Sequence, residues 1–436
     1  MPHASPDRVP GTGYGVRTVP PYTVPMTLSR RGLLRGLVAA MPLAVRTSAA
    51  EEAWLGPVTV VPAPIASPSG QPFLQASRAG TLLSWVERTG TTAALRFAEF
   101  AGGAWGEARM VASGDDWFVN WADVPSVIRL DERRLAAHWL QRSGPDKYAY
   151  DVRLSHSDDG GRTWSPSVTT HDDGTKTEHG FATLFQAPGQ GLGAVWLDGR
   201  ATKPAAGHEG HGAGGAMTVR YAAYDSAWRR TADAAIDLRV CDCCPTTVAV
   251  TDEGPIVAFR DRSGAEVRDI ALSRLEGGRW TTPTIVHPDH WTIAACPVNG
   301  PRLAAAGRRV ALAWFTAVGD MGHAWLAFSN DAGRTFGPRV RLDDTSTMGR
   351  VDVVLLDDGA AVVTWIDMAA DGAALMARKV SQDGTKSGAV RVATLEGSRT
   401  SGYPRVARHA DTLVFAWTDA RGETPVVRTA TARLMR

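Results

Sequence analysis

A short apolar, β-branched run centred on a large aromatic residue recurs seven times along the chain. The runs read LLSWVE around Trp85, AAHWLQ around Trp139, GAVWLDGR around Trp196, IVAFRDR around Phe259, ALAWFT around Trp314, VVTWID around Trp365 and VFAWTDAR around Trp417. Their centres lie 51 to 63 residues apart. Runs this short, rich in Val, Ile and aromatics and bounded by Gly, Pro and Asp, predict buried strands rather than helices. Another strand-like run precedes them, as in PSVIRL, PTTVAV, PRLAAA and PRVARH, and two more usually follow, as in AWLAFS and GPRVRLD. Four antiparallel strands per unit at this period predict an all-β propeller of four-stranded blades. The repeat count gives seven blades, with six as the alternative.

The seventh unit runs out after its third strand, at VVRTATARL. The segment GPVTVVPA, residues 56–63, offers the missing fourth strand. Pairing the two ends of the domain in one blade would close the ring and leave no open sheet edge. Residues 51–436 therefore read as a single propeller domain.

The chain before residue 51 has a different pattern. LSRRGLLRGLVAAMPLAVRTSAA carries Arg30 and Arg31, then an apolar run, then small residues. This is the layout of an export signal over residues 26–50, and the paired arginines resemble a twin-arginine signal. The apolar run is too short for a lasting membrane span, and no later segment is long enough either. Residues 1–25 are proline-rich and patternless, and read as a disordered extension ahead of a start at Met26. The expected location of the mature chain is periplasmic or secreted.

Composition narrows the function classes. The formal net charge is +2, and no basic stripe with interleaved aromatics and no Gly-rich phosphate loop is present. Nucleic acid is thus not an expected partner. Fifteen Trp, 45 Gly and 26 Pro suit many tight turns between short strands.

Two turns carry a recognisable motif. SDDGGRTW (Ser157, Asp159, Gly161, Thr163, Trp164) and SNDAGRTF (Ser329, Asp331, Gly333, Thr335, Phe336) fit a Ser-x-Asp-x-Gly-x-Thr-aromatic pattern. LEGGRW and SQDGTKS look like decayed copies. On these boxes the chain resembles the sialidase-like, Asp-box propellers, across nearly all of the domain. The box itself reads as a structural turn, in which carboxylate and hydroxyl satisfy backbone N–H groups. The resemblance further implies three arginines that grip a substrate carboxylate, a Tyr–Glu nucleophile pair and an Asp acid/base. The first of those arginines belongs in a motif on the first blade, where this chain reads QPFLQAS without an arginine. Arg302, Arg350 and Arg405 stand at the start of the innermost strand of units five, six and seven. They are candidates for an anion clamp, with Tyr403 as candidate nucleophile, or else they pair with local acids such as Asp352. This is the basis of a glycoside hydrolase or glycan- and anion-binding reading.

The cysteines point elsewhere. VCDCCPT places Cys241, Cys243 and Cys244 within four positions, and the chain has only one other, Cys296. The triplet falls in the loop joining units three and four, and Cys296 in the equivalent loop joining units four and five. Loops bearing His208, His211, His290 and His323, along with His179, His287 and the methionines 217, 321 and 348, open on the same face. Thiolate, thioether and imidazole donors suit a thiophilic metal, copper ahead of zinc. The alternative is disulfide bonding, since an exported chain with four cysteines can form two bridges. A protein partner docked on this loop-rich face is a third reading. The recurrent Asp-x-Arg after the aromatic strand (Asp198 and Arg200, Asp419 and Arg421, with Asp261 and Arg262 as a variant) reads mainly as a loop-locking ion pair.

Overall fold

The computed structural model describes residues 53–77, 79–202, 215–369 and 372–435. The export-signal reading of residues 26–50, the extension at 1–25, and His208 and His211 lie outside the described residues.

Seven antiparallel sheets follow one another along the chain. Each aromatic run forms the second strand of its blade. Trp85 lies in Gly80–Thr89, Trp139 in Leu135–Arg142, Trp196 in Gly191–Asp198 and Phe259 in Gly254–Arg260. Trp314 lies in Arg309–Thr316, Trp365 in Ala361–Ala369 and Trp417 in Thr412–Asp419. All seven rings are buried, because a second strand is covered on both faces by neighbouring blades. Three of them donate the ring N–H to an acid two residues on: Trp85 to Glu87, Trp196 to Asp198 and Trp365 to Asp367. The ring is buried and its one polar atom is satisfied at the blade's upper end.

Blade seven is built from Arg405–His409, Thr412–Asp419 and Val426–Arg433, and its fourth strand is Thr59–Val60. Thr59 pairs with Thr431 and Val60 with Ala430. The clasp between the two ends of the domain is therefore real, within the segment its β-branched pattern indicated. Blades one and four each carry a fifth short strand on the outer edge.

Both Asp boxes are structural turns between the third and fourth strands. Asp159 accepts from the Thr163 backbone N–H at 3.0 Å and from its hydroxyl at 2.7 Å, while Ser157 accepts from the Gly161 N–H at 2.8 Å. The second box repeats this with Asp331, Thr335, Ser329 and Gly333. Gly161 has φ +83° and faces the Phe97 ring of blade one, which a Cβ would meet at 2.4 Å. Trp164 then packs edge-on against that ring, so the box fastens blade two to blade one.

Candidate functional site: the cysteine pocket

Loops of the loop-rich face enclose a pocket of about 640 Å³. Its wall carries Cys243 and Cys296 from the two loops singled out above, together with Trp121, Glu178, Arg262 and Arg268. All four cysteines are free. Cys241 and Cys244 are fully buried and Cys243 nearly so, whereas Cys296 is partly exposed.

The sulfurs converge. Cys241 Sγ lies 3.4 Å from Cys244 Sγ and 3.8 Å from Cys243 Sγ, and all three lie within 4.8 Å of one another. Cys296 faces Cys243 closely enough to act on its ionisation. A metal ion with bonds of about 2.3 Å to tetrahedral sulfurs sets them roughly 3.8 Å apart, whereas a disulfide needs about 2.05 Å.

Local bonding explains why the loops hold this shape. The Cys241 N–H donates to the Arg260 carbonyl, which continues blade three's outer strand into blade four. The buried Arg260 guanidinium donates to the carbonyls of Asn299, Arg268 and Phe315, so the backbone and side chain of this one residue tie together both cysteine loops and blade five. The Asn299 N–H points at Cys244 Sγ at 3.4 Å. Gly300 follows it. A Cβ there would meet the Pro245 carbonyl oxygen at 2.1 Å, so only glycine lets the second loop lie against the first.

The electrostatics single out one thiol. Arg268 Nη1 donates to Cys241 Sγ at 3.1 Å, and its Nη2 pairs with Glu266 at 2.7 Å. Donation from the Cys243 and Cys244 thiols, aided by Arg268, holds the Cys241 thiol well below its ordinary range. Cys243 is pushed up, chiefly because its thiol is held as a donor to Cys241, and Cys244 is pushed up by burial. A cation bound there would draw the protons off the thiols that ligate it.

The two described candidate histidines, His290 and His323, do not join this group. His323 Nδ1 faces Asp343 Oδ2 at 3.0 Å. His290 is exposed, and only its backbone N–H is engaged, by Asp269. Neither belongs to the sulfur group. Both stand on the expected face, but neighbouring acids fix their local geometry.

The arginine clamp is also not assembled on an open pocket. Arg350 sits at a bulge with φ +55° and donates to the carbonyls of Ser398 and Gly402 at 3.1 Å each, its guanidinium lying over the Trp121 ring. The bulge turns the side chain sideways into the loop from blade six. Arg302 faces Asp352 at 3.6 Å. Arg405 is buried, with Nε and Nη1 unbonded, and shares with Arg302 and Asp123 a central cavity of about 30 Å³. That volume has room for about one water molecule, not for a sugar ring. Tyr403 is buried and donates its hydroxyl to the Val298 carbonyl at 2.5 Å; burial pushes its phenol far up, the opposite of an activated nucleophile. The Asp-x-Arg pairs are local, as in Arg200 with Asp198 at 2.7 Å and Arg421 with Asp419 at 2.9 Å, whereas Arg262 turns to Glu266 and Asp242.

A buried acid group was not visible in the sequence. Tyr150 donates to Glu178 at 2.7 Å and lies 3.5 Å from Asp123. Asp123 accepts from the Phe181 N–H at 2.7 Å, and burial pushes its carboxyl up to about 7. The three residues come from blades two and three and from the loop ahead of blade two, so no linear spacing links them.

No protein family's sequence profile matches the chain. No curated protein matches it either. Solved structures do. The polysaccharide lyase Uly1 superposes with a TM-score of 0.52 at 11% identity, covering 85% of this chain and 91% of that one. The α-L-arabinofuranosidase Arb93A of Fusarium graminearum gives 0.47 at 12% identity over 88% and 99%. The NanB sialidase of Streptococcus pneumoniae gives 0.44 at 9% identity over 86% and 94%. The chain is a seven-bladed β-propeller. At these identities the likeness is one of fold. Among the described residues, no helix is long and apolar enough to cross a membrane.

Proposed function

We propose that this propeller holds a soft metal ion, copper ahead of zinc, on Cys241, Cys243 and Cys244, with Cys296 closing the site from the pocket side. The observation that carries the reading is the convergence of three free sulfurs within 4.8 Å of one another, with Cys241 Sγ 3.4 and 3.8 Å from the other two and beside the Arg268 guanidinium. Buried thiols that serve only as core packing need no cation at the sulfur. The pocket over the site gives a donor or acceptor of the metal a way in, as storage, delivery or redox work requires. Residues 26–50 fit this reading as an export signal, and a periplasmic protein partner would dock on the same face.

The test is metal content. Protein isolated under mildly reducing conditions without chelator is expected to carry about one copper or zinc per chain. Cys243→Ser and Cys244→Ser should each lose most of it while the propeller stays folded. Four oxidised cysteines and no bound metal would end the proposal.

A second reading, a glycan- or anion-active protein, is favoured by a different observation. The same pocket is lined by Trp121, Tyr148 and six charged residues, among them Glu178, which accepts from Tyr150 beside Asp123. Carbohydrate is also what the lyase and glycosidases of similar fold act on. Turnover of any acidic or neutral glycan that disappears in Glu178→Gln supports it. No binding to a glycan panel at millimolar concentration removes it.

A further inference from the structure

We propose a second metal site, of nitrogen and oxygen character, in which His171, His179 and Asp151 bind one borderline divalent ion such as zinc. None of these residues lines the cysteine pocket.

His171 and His179 are buried and stacked, with ring centroids 3.6 Å apart and planes 7° from parallel. A carboxylate closes each edge of the stack. On one edge Asp173 Oδ2 lies 3.0 Å from His171 Nδ1 and 3.2 Å from His179 Nε2. On the other, Asp151 Oδ1 lies 3.5 Å from His171 Nε2 and 3.7 Å from His179 Nδ1. All four ring nitrogens therefore face carboxylate oxygens. Two neutral imidazoles bring only two N–H donors. The other two contacts would set lone pair against lone pair.

The local charge has the same shortfall. Asp151, Asp173 and Asp198 meet a single guanidinium, that of Arg200, which lies 3.1 Å from Asp173 and 2.7 Å from Asp198. With neutral rings the cluster carries two uncompensated negative charges, which is costly at this burial. One divalent cation, or two protons, would balance it.

Distances favour the cation. The Asp173 contacts are at hydrogen-bond length, a hydrogen bond from His179 Nε2 and a 3.0 Å approach, not aligned as one, from His171 Nδ1. The Asp151 contacts are longer. An ion with bonds of about 2.0–2.2 Å to nitrogen and oxygen sets its ligands roughly 3.3–3.6 Å apart, close to what is seen. Asp173 would then be the carboxylate that orients both metal-bound imidazoles from behind. Neither ring nitrogen of His171, 5% exposed, has an aligned hydrogen-bond partner, and neither does Asp151 Oδ1. Binding requires the stacked rings to splay until their lone pairs meet, with Asp173 as the pivot. The Thr177 carbonyl, 3.2 Å from His179 Nδ1, competes for that nitrogen.

The test uses the full chain with Cys241, Cys243 and Cys244 replaced by serine, which silences the sulfur site. Titration with Zn2+ should then fill one site, and Co2+ should give ligand-field bands without thiolate charge transfer. His171→Ala should weaken this binding at least tenfold, and Asp173→Asn by tenfold to a hundredfold. If the serine variant does not fold, the unsubstituted protein with Co2+ separates the two sites by the same bands. No uptake at micromolar Zn2+ overturns the proposal, as does imidazole 15N NMR showing both rings doubly protonated, or binding unchanged in His171→Ala. Loss of the sulfur site alone would leave this one standing, so the two failures are distinguishable.

Discussion

Arg268 donates to the sulfur of Cys241 at 3.1 Å, and the same guanidinium is held from its other nitrogen by Glu266. The cation cannot swing away from the thiol without breaking an ion pair. Replacing it by a neutral amide, Arg268→Gln, should therefore raise the Cys241 thiol toward its ordinary range. Ultraviolet thiolate absorbance of the metal-free protein, followed against pH, should show its first midpoint move up by about one unit or more. The sign of the stability change follows. A thiol held low in the fold contributes stability that is complete above its unfolded value and is lost as pH falls through the folded value. Arg268→Gln should flatten that acid-side loss, and an unchanged midpoint would show that the arginine does not tune the sulfur.

Gly300 makes a steric prediction. Alanine there drives a methyl group into the Pro245 carbonyl, separating the loop of Cys296 from that of Cys244. Metal affinity should fall by about tenfold or more in Gly300→Ala, while far-ultraviolet dichroism stays that of the parent. Equal affinity would mean the two loops need not touch for the site to form.

Tyr403→Phe separates packing from catalysis. The hydroxyl makes one hydrogen bond, to Val298, and its removal should cost about 1 kcal/mol in denaturant unfolding. Metal content should not change. A glycan turnover present in the parent and abolished in Tyr403→Phe would restore the nucleophile role that burial argues against.

Asp123 gives a pH dependence. Its carboxyl is pushed up to about 7 by burial, so the folded chain keeps a proton there that the unfolded chain releases near 4. The stability due to this group is greatest below about pH 4 and declines as pH rises to about 7. Asp123→Asn removes the decline. Relative to the parent, the variant should gain stability between pH 5 and pH 8, by a few kcal/mol at most, as read from urea midpoints. A parent–variant difference that does not vary with pH would place the carboxyl in its ordinary range.

The blades were legible because a doubly covered second strand has to be apolar and large. Trp196, Trp314 and Trp365 mark that layer directly. The clasp was legible because the seventh unit lacks a strand and Thr59 and Val60 have β-branched side chains. The meeting of the cysteine loops also followed, since propeller topology alone puts successive blade-joining loops on one face. What did not follow depends on side-chain direction. Arg350 has the same sequence setting as Arg302 and Arg405, yet a left-handed bulge turns it onto Trp121. His323 has the right loop but a nearer partner in Asp343. The role of Arg268 did not follow, because its partner sulfur lies in a different loop. His179 stands on the loop-rich face among the imidazole donors, but its stacking on His171 did not follow, because the acids that surround the pair come from two blades.

The pairing of Thr59 with Thr431 also bears on how the protein is made. The strand at Thr59–Val60 is made long before the strand that receives it, and blade seven keeps an open edge until the two pair. Contacts this distant in sequence are slow to form, and an open edge invites pairing with another chain. The sulfur loops, drawn from blades three to five, can assemble well before the ring is sealed. Those loops come into contact while the clasp between Thr59 and Thr431 is still unmade.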